Sequence, residues 1–381
     1  MKQGCHITNI HNNDDNKEEE ESEEMIRYTA YRAALRRGRK IETGSKVYDP
    51  EKEDQLKRVE KQELEVKELL GHGTFCNVYD VRYNNKSYAM KCLRKDILRK
   101  RIMFKTGAAD LLTETKFLAC LHHPHIISIH AISASGISGF LHNNQEEEYF
   151  LIIDKLQENL TQLIQRKRKF QKQLSKSDYR KRLQMALNIS QALQYLHSHN
   201  ILMRDVKCDN IGLDSQEKIK LFDLGLATEL KYSNVKEDGT YHLTKKAGSL
   251  KYMAPENSLG QSYNLYADVY SFSIVLWELL CLNTAFQEFS TAAVFQEEIH
   301  ASNNPHRPSL EYGMLSPSIK CMLQQSWSQS WKERPNMDSI TTTLQSELDS
   351  TNNKPTPSKP QYLWKHVIRR SNSKMQRVSA V

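Results

Sequence analysis

The pattern of hydrophobic and polar residues in this chain is strand-like between residues 66 and 92 and mostly helical in the later part. Between residues 66 and 92, three short strand-like runs are separated by a glycine-containing turn and an asparagine pair. This pattern predicts a small antiparallel sheet with strands at residues 66–70, 78–83 and 87–92. Residues 149–153 are apolar throughout and predict a further, buried strand.

Three later stretches have the spacing of amphipathic or buried helices. Leu111, Leu118 and Leu121 lie on one stripe, and Glu114 falls on the same face. A second stripe consists of Ala186, Ile189, Leu193 and Leu196. Residues 268–282 are nearly all apolar, as expected of a central buried helix. Strands followed by helices predict an α+β layout in two lobes.

The net charge of +8 is concentrated at the C-terminal end. No acidic residue follows Asp349, whereas seven lysines and arginines do. The rest of the chain is therefore nearly neutral, which argues against a nucleic-acid-binding function and leaves the basic tails as surfaces for acidic partner proteins. Residues 1–63 pass from an acidic block to a basic one with few large apolar side chains, which favours a disordered or docking extension.

Cysteine content and hydropathy favour a reducing compartment. The seven cysteines are scattered and include no Cys-x-x-Cys pair, which argues against a disulfide framework or a zinc cluster. The most apolar run, residues 274–282, is too short to span a membrane, and no signal-peptide pattern is found. A cytoplasmic location is expected, and the basic residues 36–40 leave a nuclear address as an alternative to a solvated surface segment. The oligomeric state stays open.

Asp205, Asn210 and Asp223 surround a predicted hairpin, because short apolar runs at residues 211–213 and 219–221 flank a turn-rich segment. Brought together, two carboxylates and an amide would suit Mg²⁺, which takes carboxylate oxygens plus substrate phosphates. One of the three could instead orient a hydroxyl nucleophile. Taken alone, these residues are more typical of ordinary turns, where their side chains bond the local backbone.

A glycine-rich turn and an inward lysine supply further parts of a phosphate site. Gly71 and Gly73 lie between two predicted strands, where glycine lets the backbone approach a phosphate, although taken alone they are more typical of an ordinary hairpin. Strand alternation places Lys91 on the same face as Ala89, towards the interior. A buried Lys91 and the Glu114 on its leucine stripe predict an ion pair, because buried charges are tolerated when they are paired.

In this combination and order, the residues resemble those of protein kinases. The matching positions are Gly71, Gly73, Val78, Ala89, Lys91, Glu114, Arg204, Asp205, Lys207, Asn210, Asp223, Gly225, Ala254, Pro255, Glu256 and Arg334. The resemblance covers about residues 64–346 and implies a bilobal protein kinase fold. Its N-lobe, about residues 64–153, would hold a small antiparallel sheet and one key helix, and its larger, mostly helical C-lobe would span about residues 157–346. The flanks would be the extension of residues 1–63 and a flexible basic tail of residues 347–381.

The resemblance also implies ATP and Mg²⁺ as cofactors and proteins as substrates. Lys91, held by Glu114, would contact the α and β phosphates, and Asp205 would accept or orient the proton of the substrate hydroxyl. The metal ligands would be Asn210 and Asp223. The catalytic residues would be Asp205, Lys207, Lys91 and Glu114. The ATP site would be lined by Gly71, His72, Gly73, Thr74, Phe75, Cys76, Val78, Ala89, Lys91, Ile153, Asp154 and Leu156.

Lys207, two residues after Asp205, resembles the pattern of serine/threonine kinases, and residues 327–335 resemble the tyrosine-kinase-like group. Four positions depart from the family pattern: Cys76 at the third glycine, Leu224 for Phe, Ser249 for Thr and Met203 for the His before Arg204. Met203 removes a hydrogen-bonding group that aligns the loop. An active serine/threonine signalling kinase is therefore the leading hypothesis, and a pseudokinase scaffold that binds nucleotide or partners without efficient catalysis is the alternative.

Overall fold

The N-lobe is built on a six-stranded sheet formed within residues 57–153. The computed structural model describes residues 22–142, 148–169, 175–289, 291–312 and 314–353. The strands of the sheet are β1 (Lys57–Val59), β2 (Glu65–His72), β3 (Cys76–Tyr83), β4 (Lys86–Leu93), β5 (Ile129–Ser133) and β6 (Phe150–Ile153). Their order is β1-β5-β6-β4-β3-β2, and all neighbours are antiparallel except β1 and β5, which are parallel.

The four strands expected from the sequence are present, and β1 and β5 are additional. In β1 only Val59 is buried, so this three-residue strand shows no detectable alternation. It pairs with β5, whose partner residues lie more than 70 positions away in the sequence. Its position also means that the sheet begins before residue 64, where the folded domain was expected to start.

The helices of the described residues are α1 (Glu23–Glu42), α2 (Pro50–Asp54), α3 (Arg101–Cys120), α4 (Leu160–Arg168), α5 (Lys176–Ser198), α6 (Pro255–Ser258), α7 (Tyr266–Cys281), α8 (Ala292–Phe295), α9 (Pro317–Ser326) and α10 (Met337–Asn353). The predicted leucine stripe lies on α3, which packs against β4 and β5. All four stripe residues of α5 are fully buried, and α7 is buried from Ala267 to Cys281.

In the described part of the C-lobe there are also five short strands. They are β7 (Glu158–Asn159), β8 (Ile201–Leu202), β9 (Ile211–Leu213), β10 (Ile219–Leu221) and β11 (Thr228–Glu229). β9 and β10 form the expected antiparallel hairpin, with Leu213 opposite Ile219. Together with the N-lobe sheet and the helical C-lobe, this confirms the bilobal α+β fold.

Part of the N-terminal extension is ordered, contrary to the disordered alternative. Residues 23–42 form α1, which packs along α3. The buried face of α1 includes Ala30, Ala34 and Gly38, and these small residues give little of the hydrophobic signal on which the expectation of disorder rested. Residues 1–21 lie outside the described residues.

At the other end, α10 continues to Asn353, so the first residues assigned to a flexible tail, 347–353, are helical. Residues 354–381 lie outside the described residues. Within the described ranges, no helix combines the length and the apolar character needed to cross a bilayer.

Candidate active site

The glycine-rich turn between β2 and β3 is anchored to its neighbours. The Gly73 N–H donates to the Cys76 carbonyl (2.8 Å), and the Arg94 N–H donates to the Phe75 carbonyl (2.8 Å). Arg94 Nη1 also donates to the Gly73 carbonyl (3.0 Å). The ring of Phe75 packs on α3 at Gly107, where an added Cβ would lie 2.8 Å from Phe75 Cβ. Burial raises the pKa of the Cys76 thiol, so this residue acts as a small apolar group at the third glycine position.

Lys91 on β4 lies between carboxylates from two other elements. Its Nζ is 2.5 Å from Glu114 Oε2 and 2.8 Å from Asp223 Oδ1, which confirms the expected ion pair with Glu114. Burial opposes the charge of Lys91, but Asp223 and Glu114 raise its pKa well above the ordinary value. Burial likewise opposes ionisation of Asp223, but Lys91 lowers its pKa. At neutral pH, Lys91 is therefore a cation and Asp223 an anion.

Asp205 accepts hydrogen bonds on both oxygens of its carboxylate. Oδ2 accepts from Lys207 Nζ (2.7 Å) and from Asn210 Nδ2 (3.0 Å), and Oδ1 accepts from the Ser249 N–H (2.9 Å). Lys207 Nζ also donates to Ser249 Oγ (3.0 Å). The carboxylate is thus oriented by donors on both oxygens, and it faces the cleft between the lobes.

The backbone of the loop that carries Asp205 is fixed by the buried Asp268 of α7. Asp268 accepts hydrogen bonds from the N–H groups of Met203 (2.7 Å) and Arg204 (2.9 Å), and His197 Nε2 lies 3.2 Å from the same carboxylate. Arg204 has a φ of 71°, a left-handed conformation that is costly for a residue other than glycine and needs such support. The Met203 side chain is fully buried. Alignment here rests on backbone contacts that do not require a particular side chain at position 203.

Asp223 and Asn210 present oxygens that fit a divalent cation. Asp223 follows β10 in a left-handed conformation (φ 65°, ψ 65°). Asn210 uses its amide nitrogen to bond Asp205, which leaves its side-chain oxygen for a ligand. Among the described residues, no group of three His, Cys, Asp or Glu side chains could hold a metal ion by itself. Two protein oxygens completed by phosphate oxygens are a donor set that Mg²⁺ accepts, so the residues fit this ion in the company of a nucleotide.

These groups line one cleft of about 640 Å³ between the lobes. Every residue assigned to ATP, metal or catalysis from the sequence lies in its wall. Asp154 lines the cleft. Its N–H donates to the Ser128 carbonyl (3.1 Å), and its carboxylate contacts His130 (2.7 Å) and the Ser128 N–H (3.0 Å). The carbonyl oxygen is therefore the backbone group of Asp154 that is left for a ligand. The individual roles of the lining residues stay predictions.

Residues 64–345 match the family model described as the protein kinase domain. The chain belongs to the protein kinase family.

The curated relatives of this kinase chain are distant in sequence. A probable serine/threonine-protein kinase of Dictyostelium discoideum is 28% identical over 285 residues, which are 74% of this chain and 19% of the relative. The dual specificity protein kinase shkD of the same organism is 26% identical over 282 residues, 73% of this chain and 34% of the relative. The serine/threonine/tyrosine-protein kinase HT1 of Arabidopsis thaliana is 25% identical over 274 residues, 72% of this chain and 63% of the relative. The chain therefore spans less than two thirds of the length of each of them.

The kinase cleft contains one close contact that the sequence analysis missed. Gly212 lies in β9, and a Cβ at this position would be 2.5 Å from Leu156 Cδ1 and 3.3 Å from Phe222 Cε1. Leu156 and Phe222 both line the cleft, and the missing side chain of Gly212 leaves the space that Leu156 occupies. A glycine inside a strand was the available signal, since such a residue often marks a close approach.

Asp110 of α3 is a second missed residue of the cleft wall. A Cβ added to Gly225 would lie 3.1 Å from Asp110 Cβ, so the first turn after Asp223 packs directly on α3. Burial raises the pKa of Asp110 to about 7, although Arg37 of α1 lowers it. A side chain from the N-terminal extension thus acts electrostatically on the wall of the cleft.

Replacing Gly212 with Ala is expected to raise the Kd for ATP about tenfold, because the new methyl group would displace Leu156 into the cleft where ATP is predicted to bind. Isothermal titration with a non-hydrolysable ATP analogue measures this change. The second substitution Leu156→Val removes the clashing Cδ1 and should restore most of the affinity. Equal affinity in wild type and Gly212→Ala would show that Leu156 does not shape the site.

Proposed function

We propose that the chain catalyses ATP- and Mg²⁺-dependent phosphoryl transfer to serine and threonine hydroxyls of proteins. The observation that carries the proposal is the convergence of Lys91, Asp205 and Asp223 on one cleft, with Lys91 held by both Glu114 and Asp223. Phosphoryl transfer needs positive charge at the phosphate oxygens and a carboxylate near the attacking hydroxyl. These residues supply both within one cavity.

In the proposed reaction, Lys91 binds the α and β phosphates, and its raised pKa keeps it charged. Asn210 and Asp223 hold Mg²⁺, which when bound offsets the negative charge on the transferred phosphoryl group. Asp205 orients the substrate hydroxyl and takes its proton. The hydrogen bonds from Lys207 and Asn210 fix the carboxylate before substrate arrives, so little reorganisation is needed during transfer.

The bridge from Lys207 to Asp205 and Ser249 supports serine/threonine specificity, because it places a lysine beside the carboxylate as in the serine/threonine pattern. We assign the chain to the tyrosine-kinase-like group because residues 327–335 resemble that group. Some relatives are named as dual specificity or serine/threonine/tyrosine kinases, so tyrosine must be tested directly. A signalling role, acidic partner proteins and a cytoplasmic or nuclear location stay predictions from the sequence.

A second candidate function is a scaffold that binds nucleotide without efficient transfer. The specific observation behind it is Met203, which stands where the family pattern has His. The contacts from Asp268 to the backbone of residues 203 and 204 favour the active alternative, because they align the loop independently of that side chain.

The two functions are separated by incubating the full chain with Mg²⁺, labelled ATP and a generic basic protein, followed by phosphoamino-acid analysis. We expect label on serine and threonine that disappears with EDTA and in Lys91→Met. ATP binding without label above the EDTA background would support the scaffold. Label on tyrosine would contradict the serine/threonine part of the proposal.

A further inference from the structure

Residues 22–54, here called the N-terminal arm, lie outside the segment that matches the kinase family. The arm packs through α1 along α3, the helix that carries Glu114. Close approach is possible because α1 is lined by small residues: a Cβ added to Gly38 would lie 3.0 Å from Lys116 Cε and 3.3 Å from Leu112 Cδ2. The arm is therefore seated directly on α3.

Polar contacts set the position of α3 relative to the arm. Arg37 Nε donates to Thr113 Oγ1 (3.1 Å), and Lys116 Nζ contacts the carboxylates of Glu42 (2.8 Å) and Glu53 (2.6 Å). Thr113 lies one position before, and Lys116 two positions after, the glutamate that pairs with the lysine of β4. Burial opposes the charge of Lys116, but the hydrogen bonds that it donates to Glu42 and Glu53 raise its pKa, so Lys116 stays a cation. The arm thus restrains the rotation of α3 on both sides of that glutamate.

The arm also binds the segment that follows Asp223. Glu229 of β11 accepts hydrogen bonds from Ser45 Oγ (2.5 Å) and from the Lys46 N–H (2.8 Å). Lys231 donates to the Lys40 carbonyl (3.0 Å) and to two further carbonyls at the end of α1. The last carbonyls of a helix lack partners within it and carry partial negative charge, so a lysine there is favourable. The segment of the arm around the end of α1 is therefore bound to residues 229–231.

A third contact joins the two elements that the arm touches: the turn after Asp223 packs on α3 at Asp110. The arm, α3 and residues 224–231 consequently touch one another in pairs. We propose that the N-terminal arm is a positioning element of the phosphotransfer site, which holds α3 and residues 224–231 together so that Lys91 contacts both Glu114 and Asp223. This inference rests on the proposed function for its catalytic consequence.

The expected effect of the arm on kcat follows from the elements that carry Lys91, Glu114 and Asp223. Lys91 belongs to β4, whereas its two carboxylate partners belong to α3 and to the segment after β10, and the arm contacts both of those elements. A shift of about 1 Å in a catalytic group lowers the rate of reaction by about 100-fold. Loss of the arm contacts should therefore reduce kcat more than it weakens ATP binding.

The first test uses the full chain with Ala30→Glu and Ala34→Glu, which place two carboxylates in the fully buried face of α1. The matched control carries Arg32→Gln and Arg36→Gln, which change the net charge equally on the exposed face of the same helix. We expect kcat to fall about 100-fold in the arm variant and to stay near wild type in the control. Assays are run below the melting temperature of every variant, so that loss of folded protein is not measured as loss of rate.

A milder variant cuts the contact with residues 229–231 and leaves the buried face intact. Glu229→Gln with Lys231→Ala should lower kcat about tenfold, whereas Lys231→Arg, which keeps a cationic donor at the end of α1, should stay near wild type. A purely structural role of the arm would lower the melting temperature of the double variant without this difference in kcat. That outcome would overturn the proposal.

Hydrogen–deuterium exchange separates this inference from the proposed function. In Ala30→Glu/Ala34→Glu, we expect faster exchange in residues 101–120 and 224–231 as well as in α1, whether or not the wild type transfers phosphate. An inactive wild type would contradict the proposed function, and the exchange result would still decide the inference. Faster exchange in α1 alone, with residues 224–231 unchanged, would overturn it.

Discussion

Replacing Asp205 with Asn is expected to lower kcat for protein phosphorylation about a thousandfold, without a matching loss of ATP affinity. The wild-type carboxylate accepts from Lys207 and Asn210 on one oxygen and from the Ser249 N–H on the other. Asparagine puts an NH₂ group where one of these oxygens lies, so a donor faces a donor, and the side chain can no longer accept the proton of the substrate hydroxyl. Lys91, the proposed phosphate-binding residue, keeps its own carboxylate partners.

Steady-state assays of phosphate incorporation, together with titration of an ATP analogue, measure the two quantities separately. Asp214→Asn is the matched control: Asp214 lies in the turn of the neighbouring hairpin, where it bonds the N–H groups of Gln216 and Lys218, and asparagine is equally suited to such turns. We expect the control to retain the wild-type rate. A rate within threefold of wild type in Asp205→Asn would remove Asp205 from its proposed role.

The parts of the site that could be predicted are those where a local sequence pattern buries a charged residue, because a buried charge needs a partner of opposite sign. Strand alternation placed Lys91 inside, and the leucine stripe placed Glu114 inside, and two buried opposite charges need one another. The structure brings them to 2.5 Å. The hairpin of residues 211–221 could also be predicted, because two short apolar runs on either side of a turn-rich segment are typical of a β-hairpin.

The parts that could not be predicted depend on contacts between distant segments. Gly212 and Leu156 are 56 positions apart, and nothing near either residue indicates that one fills the space left by the other. The strand β1 is defined by its parallel pairing with β5 rather than by its own three residues. The helix α1 buries Ala and Gly on α3, and small residues do not reveal a buried face by hydropathy.

Among the substitutions considered, removing the side chain of Arg334 is expected to lower the free energy of unfolding the most. Its guanidinium makes two parallel hydrogen bonds to Glu256, each 2.8 Å long, and donates to the carbonyls of Tyr266 (3.0 Å) and Ser328 (3.0 Å). Both charged residues are almost fully buried. Removing one partner of such a pair leaves an uncompensated buried charge and costs about 3–5 kcal/mol, because the remaining ion has lost its solvation without replacement.

The substitution Arg334→Met should therefore lower the melting temperature by about 10 °C, measured by circular dichroism at neutral pH. Adding Glu256→Gln removes the unpaired charge and should recover part of this loss, although the carbonyls of residues 266 and 328 still lack their donor. Arg334→Lys keeps the charge but cannot reproduce the paired geometry, so its melting temperature should lie between those of Arg334→Met and wild type. Two results would contradict this explanation: Arg334→Met melting at the wild-type temperature, or the double variant Arg334→Met/Glu256→Gln melting at a lower temperature than Arg334→Met. Either result would show that the unpaired carboxylate of Glu256 is not the cause of the lost stability. This order of melting temperatures follows from the number of donors on arginine. Its five N–H groups let one side chain neutralise Glu256 and also donate to backbone carbonyls in two separate segments of the C-lobe.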